Sequence, residues 1–443
     1  MRGFSIVLSK PMKISPIARS FHAAGAFAVI LALHGPSEAF AAPARAEIVK
    51  TGDAAWELRV NGEPFYVRGA GVGRAFGKNG ENYLEMAKNM GANVVRTWGA
   101  DQGDRKYLDE ARRQGLYVNA GIWLEHVGPK HSYLPGSPYP DEAEKKALEY
   151  VRQFKDHPAI LMWNVGNEVI AKTPSEAERD AFAQFLERVT RAIKAIDSNH
   201  PVIYADSGHI ALPYLKSYAL SLDAVGFNIY GSVIVSESAW RNIRFEAPYI
   251  VTEFGPHGPW DLVKDSFGRT AEEGDYSKAA QYRNHWKLLA ERRGANIGGF
   301  AFHLGETTQE SLSFWNLNDG KYPKESFLMM QGLYTGSPAA NHSPRIETLK
   351  LTPSAVKPGA AFRAQAKAAD PEGGAIRYEY FASTAIEGVE KYEVNSVLPL
   401  NGPDAPSAEL KAPRDPGLYR VYVRALDAEG NSALKNAVLR VDR

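Results

Sequence analysis

The stretch AILMWNVGNEV (residues 159–169) is apolar at its start and delivers Asn167 and Glu168 where the apolar run stops. An unbroken apolar run belongs to a strand buried on both faces, as in parallel sheets, whereas half-solvated strands alternate. The same pattern returns 85 residues later in PYIVTEFGP (248–256), where Glu253 follows Tyr249, Ile250 and Val251. Glutamate is mostly a surface residue, and either one alone reads as an exposed loop carboxylate or a helix-capping partner. Two of them, each at the end of a buried run, call for a common explanation.

Reading outward from these stretches gives eight apolar runs: FYVRGAGV (65–72), NVVRTW (93–98), LYVNAGIW (116–123), AILMWNVG (159–166), PVIYAD (201–206), DAVGFNIY (223–230), PYIVTEF (248–254) and IGGFAFHL (297–304). Amphipathic segments lie between them. NYLEMAKNMG, RKYLDEARRQG, EAEKKALEYVRQF and KAAQYRNHWKLLAERRG read as helices, several followed by a glycine suited to a left-handed cap. The clearest is TPSEAERDAFAQFLERVTRAIKAID, where Thr173 with Glu176 is read as a capping box and Pro174 as the first helical residue. Its apolar set, Phe182, Phe185, Leu186, Val189, Ile193 and Ile196, keeps to one face. The alternation predicts a (β/α)8 barrel over residues 47–343, with an open doubly wound sheet as the structural alternative. The GAGVG loop is no dinucleotide fingerprint, because Arg74 and Phe76 fall where the closing glycine belongs.

Beyond residue 343 the texture changes to Pro/Gly/Asp turns between short alternating runs, ending in GLYRVYVRALDAEG and AVLRVDR. Residues 344–443 are expected to form a small antiparallel β-sandwich, immunoglobulin- or fibronectin-like, that braces the barrel or binds a polymer weakly. Residues 1–42 read as a signal peptide: a basic stretch without acids, the apolar AAGAFAVILAL, and a small-residue site at Ala39-Phe40-Ala41, with cleavage near Ala41 or Ala44. That core is short of the roughly 20 residues a membrane helix needs, although an uncleaved anchor is the alternative. The expected location is periplasmic or secreted, with no membrane span in the mature chain.

The chain has 443 residues, of which 44% are hydrophobic and 23% charged, with a net charge of +1 and no cysteine. This balance suits a folded protein with a large core and excludes disulfide frameworks, thiolate metal sites and cysteine nucleophiles. It also lacks the basic footprint of a nucleic-acid binder, and a neutral partner fits better. No His/Asp/Glu set shows metal-ligand spacing, so neither a metal nor a cofactor is expected. The chain is expected to be a monomer.

Barrel active sites are built at the C-terminal strand ends, where Glu168 closes the fourth run and Glu253 the seventh. Paired carboxylates there suit glycosidic bond cleavage, in which one carboxyl protonates the leaving oxygen while the other attacks or activates water. In WNVGNEV and YIVTEFG the chain resembles clan A of the glycoside hydrolases over roughly residues 48–335. The resemblance implies retaining catalysis, with Glu168 as acid/base, Glu253 as nucleophile and Asn167 holding a sugar hydroxyl. It also implies that Arg96 and Tyr230 support the nucleophile. Within the clan the chain looks most like family 2-type barrels, but only about 23 residues separate the leader from the first run, too few for the sandwich domains that precede such barrels. The phrase GNEV is also similar to that of β-1,3-glucan remodelling transglycosidases.

One departure concerns the end of the eighth run, where many clan members carry a tryptophan and this sequence has FAFHLGE. His303, or Trp315 in LSFWNLNDG, is read as the replacement platform, with a buried core histidine as the alternative. Trp98 and Trp123 could stack on a sugar, and Glu125, His126, Asp206, His209 and Glu306 could bind hydroxyls. The expected function is that of an exported retaining β-glycosidase acting on a β-linked glucan or oligosaccharide. A β-glucanosyltransferase, a catalytically inactive sugar-binding protein and a metal-dependent hydrolase are the alternatives.

Overall fold

The computed structural model describes residues 42–306, 309–384 and 397–443. The expected leader, up to residue 41, lies outside the described residues. A closed parallel barrel forms from Val67–Gly71, Val94–Arg96, Tyr117–Ile122, Ile160–Asn167, Val202–Ser207, Ala224–Ile229, Tyr249–Phe254 and Asn296–Ala301, referred to below as the first to eighth barrel strands. They follow one another around the ring in chain order, and each coincides with one of the eight apolar runs. All eight residues of the fourth strand are buried, as its unbroken apolar pattern requires.

The connecting helices are amphipathic and cover the barrel. In the longest, Glu176–Ile196, Phe182, Phe185, Leu186, Val189 and Ile193 are buried. Its start corrects the expectation drawn from Thr173. Ser175 is the N-cap and accepts from the Glu178 backbone N–H, so the capping spacing is met two residues later. Thr173 instead ends a separate turn of helix, Val169–Lys172, and its hydroxyl donates to Val169 O at 2.6 Å. Ser-Glu-Ala-Glu repeats the Thr-Pro-Ser-Glu spacing, and the short turn after the fourth strand decides between them. The Glu178 carboxylate does not return to its cap but accepts from Ser132 Oγ (2.6 Å) and Tyr133 N (2.9 Å).

An element not read from the sequence precedes the barrel: an antiparallel three-stranded sheet of Ala46–Gly52, Ala55–Val60 and Glu63–Phe65. Ala46, Leu58 and Val60 share one core with Val67, Val94, Leu161, Ile203, Ile250 and Phe300 from the barrel. The sheet therefore packs its apolar side on the barrel interior, away from the strand ends that carry Glu168 and Glu253.

The C-terminal part contains two sheets. One holds Arg345–Thr352, Ala361–Ala369 and Ser407–Lys411; the other holds Ala355–Val356, Ser432–Val441, Gly417–Leu426, Arg377–Thr384 and Leu398–Leu400. All pairings are antiparallel except the one between Ala355–Val356 and Ser432–Val441. Phe362 and Ala364 from one sheet share a core with Tyr380, Val421, Val423 and Leu439 from the other. A buried polar seam joins the larger sheet to the barrel: Tyr422 Oη accepts from Leu312 N (3.1 Å), Leu434 N donates to Asp275 (3.0 Å), and Asn436 Nδ2 donates to Glu272 (2.6 Å). No described helix is long and apolar enough to cross a membrane.

Candidate active site

Both glutamates stand beside a local break in strand register. The fourth strand pairs with the fifth at Asn164–Ile203 and again at Asn167–Ala205, with a shift between them. The seventh pairs with the sixth at Val251–Phe227 and at Glu253–Asn228, again with a shift. Such irregularities bend a strand and re-aim the side chain that follows. The fourth strand turns further, through Gly166 at φ +83° and Glu168 at φ +54°. A non-glycine residue in the left-handed region costs about 1–2 kcal/mol. Glu168 sits there as the residue that hands the strand over to helix Val169–Lys172.

Glu253 is held by three donors. Arg96 Nη1 donates to Oε1 at 2.7 Å, Trp98 Nε1 to the same oxygen at 2.8 Å, and Tyr230 Oη to Oε2 at 2.7 Å. Arg96 is fully buried, and its charge lies 5.0 Å from the Trp98 ring centre. Trp98 can occupy this position only because Gly71 faces it: a Cβ there would come within 2.8 Å of the indole.

Glu168 has a different environment. Its Oε1 accepts from Asn228 Nδ2 at 2.8 Å, and Lys172 stands 3.7 Å from Oε2. Burial first, and then the Glu253 charge, push its pKa up, against the opposing pull of Asn228, Lys172 and Arg96. One carboxylate is thus enclosed by donors, while the other is desolvated and biased toward keeping its proton.

Asn167 links the two. Its Oδ1 accepts from Arg96 Nη2 (2.7 Å) and Asn228 Nδ2 (3.1 Å). Asn228, which sequence reading passed over, also accepts from Thr252 Oγ1 at 2.8 Å, so it ties the fourth, sixth and seventh strands. The available signal was an asparagine inside the apolar run GFNIY. Asp206 is buried beneath Glu168, accepting from Ser207 N (2.7 Å), Ile170 N (3.2 Å) and Tyr204 Oη. Burial is the main cause that pushes its carboxyl up to about 7.

The structure therefore brings Glu168, Glu253, Asn167, Arg96, Trp98 and Tyr230 into one hydrogen-bonded set. His126 joins at its edge, with Nε2 3.0 Å from Asn167 O. His303 is 7% exposed and tilts against Trp98 at 5.7 Å between ring centres; burial lowers its pKa to about 4. Trp315, read as a possible platform, is 2% exposed and lies behind Tyr230, 4.7 Å away between ring centres, so its face is covered by protein. Glu125 is engaged through its backbone, with N–H donating to Tyr139 Oη and O accepting from Tyr133 Oη. His209 and Glu306 are exposed.

Residues 57–259 match the family model described as glycosyl hydrolases family 2, TIM barrel domain. The chain is 24% identical over 305 residues to the β-glucuronidase of Mus musculus, covering 62% of this chain and 45% of that protein. It is 25% identical over 245 residues to the β-glucuronidase of Streptococcus agalactiae, covering 46% and 40% respectively. The chain thus spans less than half the length of these curated relatives. Among solved structures, a Bacteroides uniformis β-glucuronidase superposes with a TM-score of 0.50 at 17% identity, over 90% of this chain and 48% of that one. A putative β-galactosidase of Bacteroides fragilis superposes with a TM-score of 0.51 at 15% identity, over 90% and 57%. At these identities the structural likeness speaks for the fold alone, and the family match likens residues 57–259, within the barrel, to the TIM barrel domain of family 2 glycosyl hydrolases.

Proposed function

We propose that this barrel is a retaining β-glycosidase in which Glu168 is the acid/base and Glu253 the nucleophile. The observation that carries the reading is the unlike surroundings of two carboxylates joined through Arg96, Asn167 and Asn228. In the first step Glu168 gives its proton to the glycosidic oxygen as Glu253 attacks the anomeric carbon. The C–O bond to the leaving sugar breaks and a glycosyl ester forms. In the second step Glu168 takes a proton from water, whose oxygen displaces Glu253 and restores the original anomeric configuration. Arg96, Trp98 and Tyr230 hold the nucleophile in place, and Asn167 holds a hydroxyl of the reacting sugar. His303, against Trp98, shapes the floor of that subsite, with His126 at its rim.

The substrate is read as a β-linked glucan or oligosaccharide met outside the cytoplasm, with residues 47–343 as the catalytic part. Residues 344–443 are read as an immunoglobulin- or fibronectin-like sandwich that braces it. Transfer to an acceptor sugar in place of water would use the same two glutamates. A second reading, cleavage of β-glucuronides, is favoured by the names of the matched relatives.

Aryl β-glucoside, β-glucuronide and β-galactoside, with β-1,3- and β-1,4-glucans, form the test panel, read by product analysis and by NMR of the first anomer released. Release of the β-anomer, abolished in Glu168→Gln and Glu253→Gln on natural leaving groups, is expected. First release of the α-anomer, or full activity in both variants, overturns the proposal. So does absence of cleavage across the whole panel.

A further inference from the structure

Trp123 and Trp260 are exposed, at 39% and 61%, although tryptophan is among the residues that gain most from burial. Trp123 directly follows the third barrel strand, and Trp260 lies in the connection after the seventh. In a closed ring of eight strands in chain order, the third and seventh stand four apart, on opposite sides of the mouth. Glu168 directly follows the fourth strand, next to the third in the ring, and Glu253 lies on the seventh.

Neither ring is loose. Trp260 meets Tyr230 edge-on at 6.0 Å and Trp315 at 6.4 Å between ring centres. It also folds back on Gly258, where a Cβ would come within 2.2 Å of the indole. Trp123 meets His126 edge-on at 5.3 Å. Trp260 is one side chain removed from Glu253, through Tyr230, and Trp123 reaches through His126 to the carbonyl of Asn167, the residue before Glu168.

We infer that Trp123 and Trp260 are sugar-stacking platforms on opposite sides of the carboxylates, so that the site takes a β-linked glucan chain extending past the scissile bond in both directions. The inference rests on the glycosidase reading. Equatorial substituents leave a β-glucosyl unit with flat C–H faces, which pack on an exposed aromatic ring while the hydroxyls stay in water. Rings braced before the ligand arrives lose little freedom on binding. Platforms on both sides favour cleavage within a chain over removal of single terminal units.

The test compares kcat/KM on β-1,3- and β-1,4-gluco-oligosaccharides, from disaccharide to hexasaccharide, with that on an aryl β-glucoside. In the wild type the ratio of hexasaccharide to aryl glycoside should rise with chain length. In Trp123→Ala and Trp260→Ala this ratio should fall about tenfold each, mainly through KM. Trp260→Phe should restore part of it, and Gly258→Ala, which displaces the ring without removing it, should behave like Trp260→Ala. Cleavage of aryl glycoside with no gain from chain length overturns the inference and leaves the glycosidase reading standing. Activity confined to the β-glucuronide does the same. Variants that lose all substrates equally, or that convert a dimer to a monomer in sedimentation, also overturn it. Failure to cleave anything defeats the glycosidase reading itself.

Discussion

The guanidinium of Arg96 lies 2.7 Å from the carboxylate of Glu253, with Arg96 fully buried and the Glu253 side chain 8% exposed. Its second terminal nitrogen holds Asn167 at 2.7 Å, so one planar fork sets two side chains from different strands. A lysine keeps the charge and loses the fork. Arg96→Lys is therefore expected to lower kcat about 10²–10³-fold, with KM changed less. Arg96→Met, which leaves Glu253 buried without its counter-charge, should destabilise the fold by about 3–5 kcal/mol in urea denaturation.

The two glutamates should separate by leaving group. With Glu168 as the proposed proton donor, Glu168→Ala should lower cleavage of a poor leaving group about 10²–10⁴-fold. An aryl glycoside with an acidic phenol should lose much less in the first step and accumulate glycosyl-enzyme, visible by intact-protein mass. Added azide should then release β-glycosyl azide. Glu253→Ala should lose both substrates alike and show no such adduct.

The pH profile follows from Glu168. Its raised pKa places the loss of activity on the alkaline side above the ordinary carboxylate range, because the acid must still hold its proton. Lys172, 3.7 Å away, pulls that pKa down. Lys172→Met is expected to move the alkaline limb of kcat/KM to higher pH, and movement the other way contradicts this assignment.

Asp206 gives a stability signature with a definite sign. Its carboxyl is pushed up to about 7 in the folded chain, from the ordinary aspartate value of 3.8, so the native state binds the proton more tightly than the unfolded one. Its contribution is largest below about pH 4 and is lost as pH rises through about 7. Relative to Asp206→Asn, the wild type should lose stability across that window, as measured by urea unfolding at a series of pH values.

Lys324 tests the support behind Tyr230. Its ammonium, 1% exposed, lies 2.8 Å from Asp275 and donates to Ser313 O and Asn316 O at 3.2 Å each. Those carbonyls flank Trp315, whose ring packs on Tyr230. Lys324→Met should cost about 3–5 kcal/mol by taking the Lys324 counter-charge from buried Asp275, and should lower kcat as the Trp315 backing loosens. Unchanged stability would show that the ion pair is dispensable.

Several features were legible in the amino-acid order because they depend on local pattern. Buried parallel strands must be apolar on both faces, so the eight barrel strands appear as unbroken runs, and a polar residue at the end of one is conspicuous. Glu168 and Glu253 stood out for that reason, whereas Arg96 and Tyr230 were named from the clan A resemblance and Trp98 as an aromatic at a strand end. The N-terminal sheet was not, because residues 46–65 pair with one another and pack on the barrel interior, and that packing is read only in three dimensions. The start of helix Glu176–Ile196 was misplaced because two overlapping capping patterns fit, and the turn after the fourth strand selects the later one.

By itself, then, the sequence determined which strands carry the carboxylates, since burial on both faces leaves a period-free apolar signature. Only the tertiary structure decided how those carboxylates differ. Register shifts beside Glu168 and Glu253, the left-handed backbone at Glu168, and the joining of Arg96, Asn167 and Asn228 arise between strands far apart in the chain. Closure of the barrel likewise puts the strands that precede Trp123 and Trp260 on opposite sides of the ring, and packs Trp315 against Tyr230. Electrostatic environment depends on what surrounds a group in space, and neighbours along the chain do not specify it.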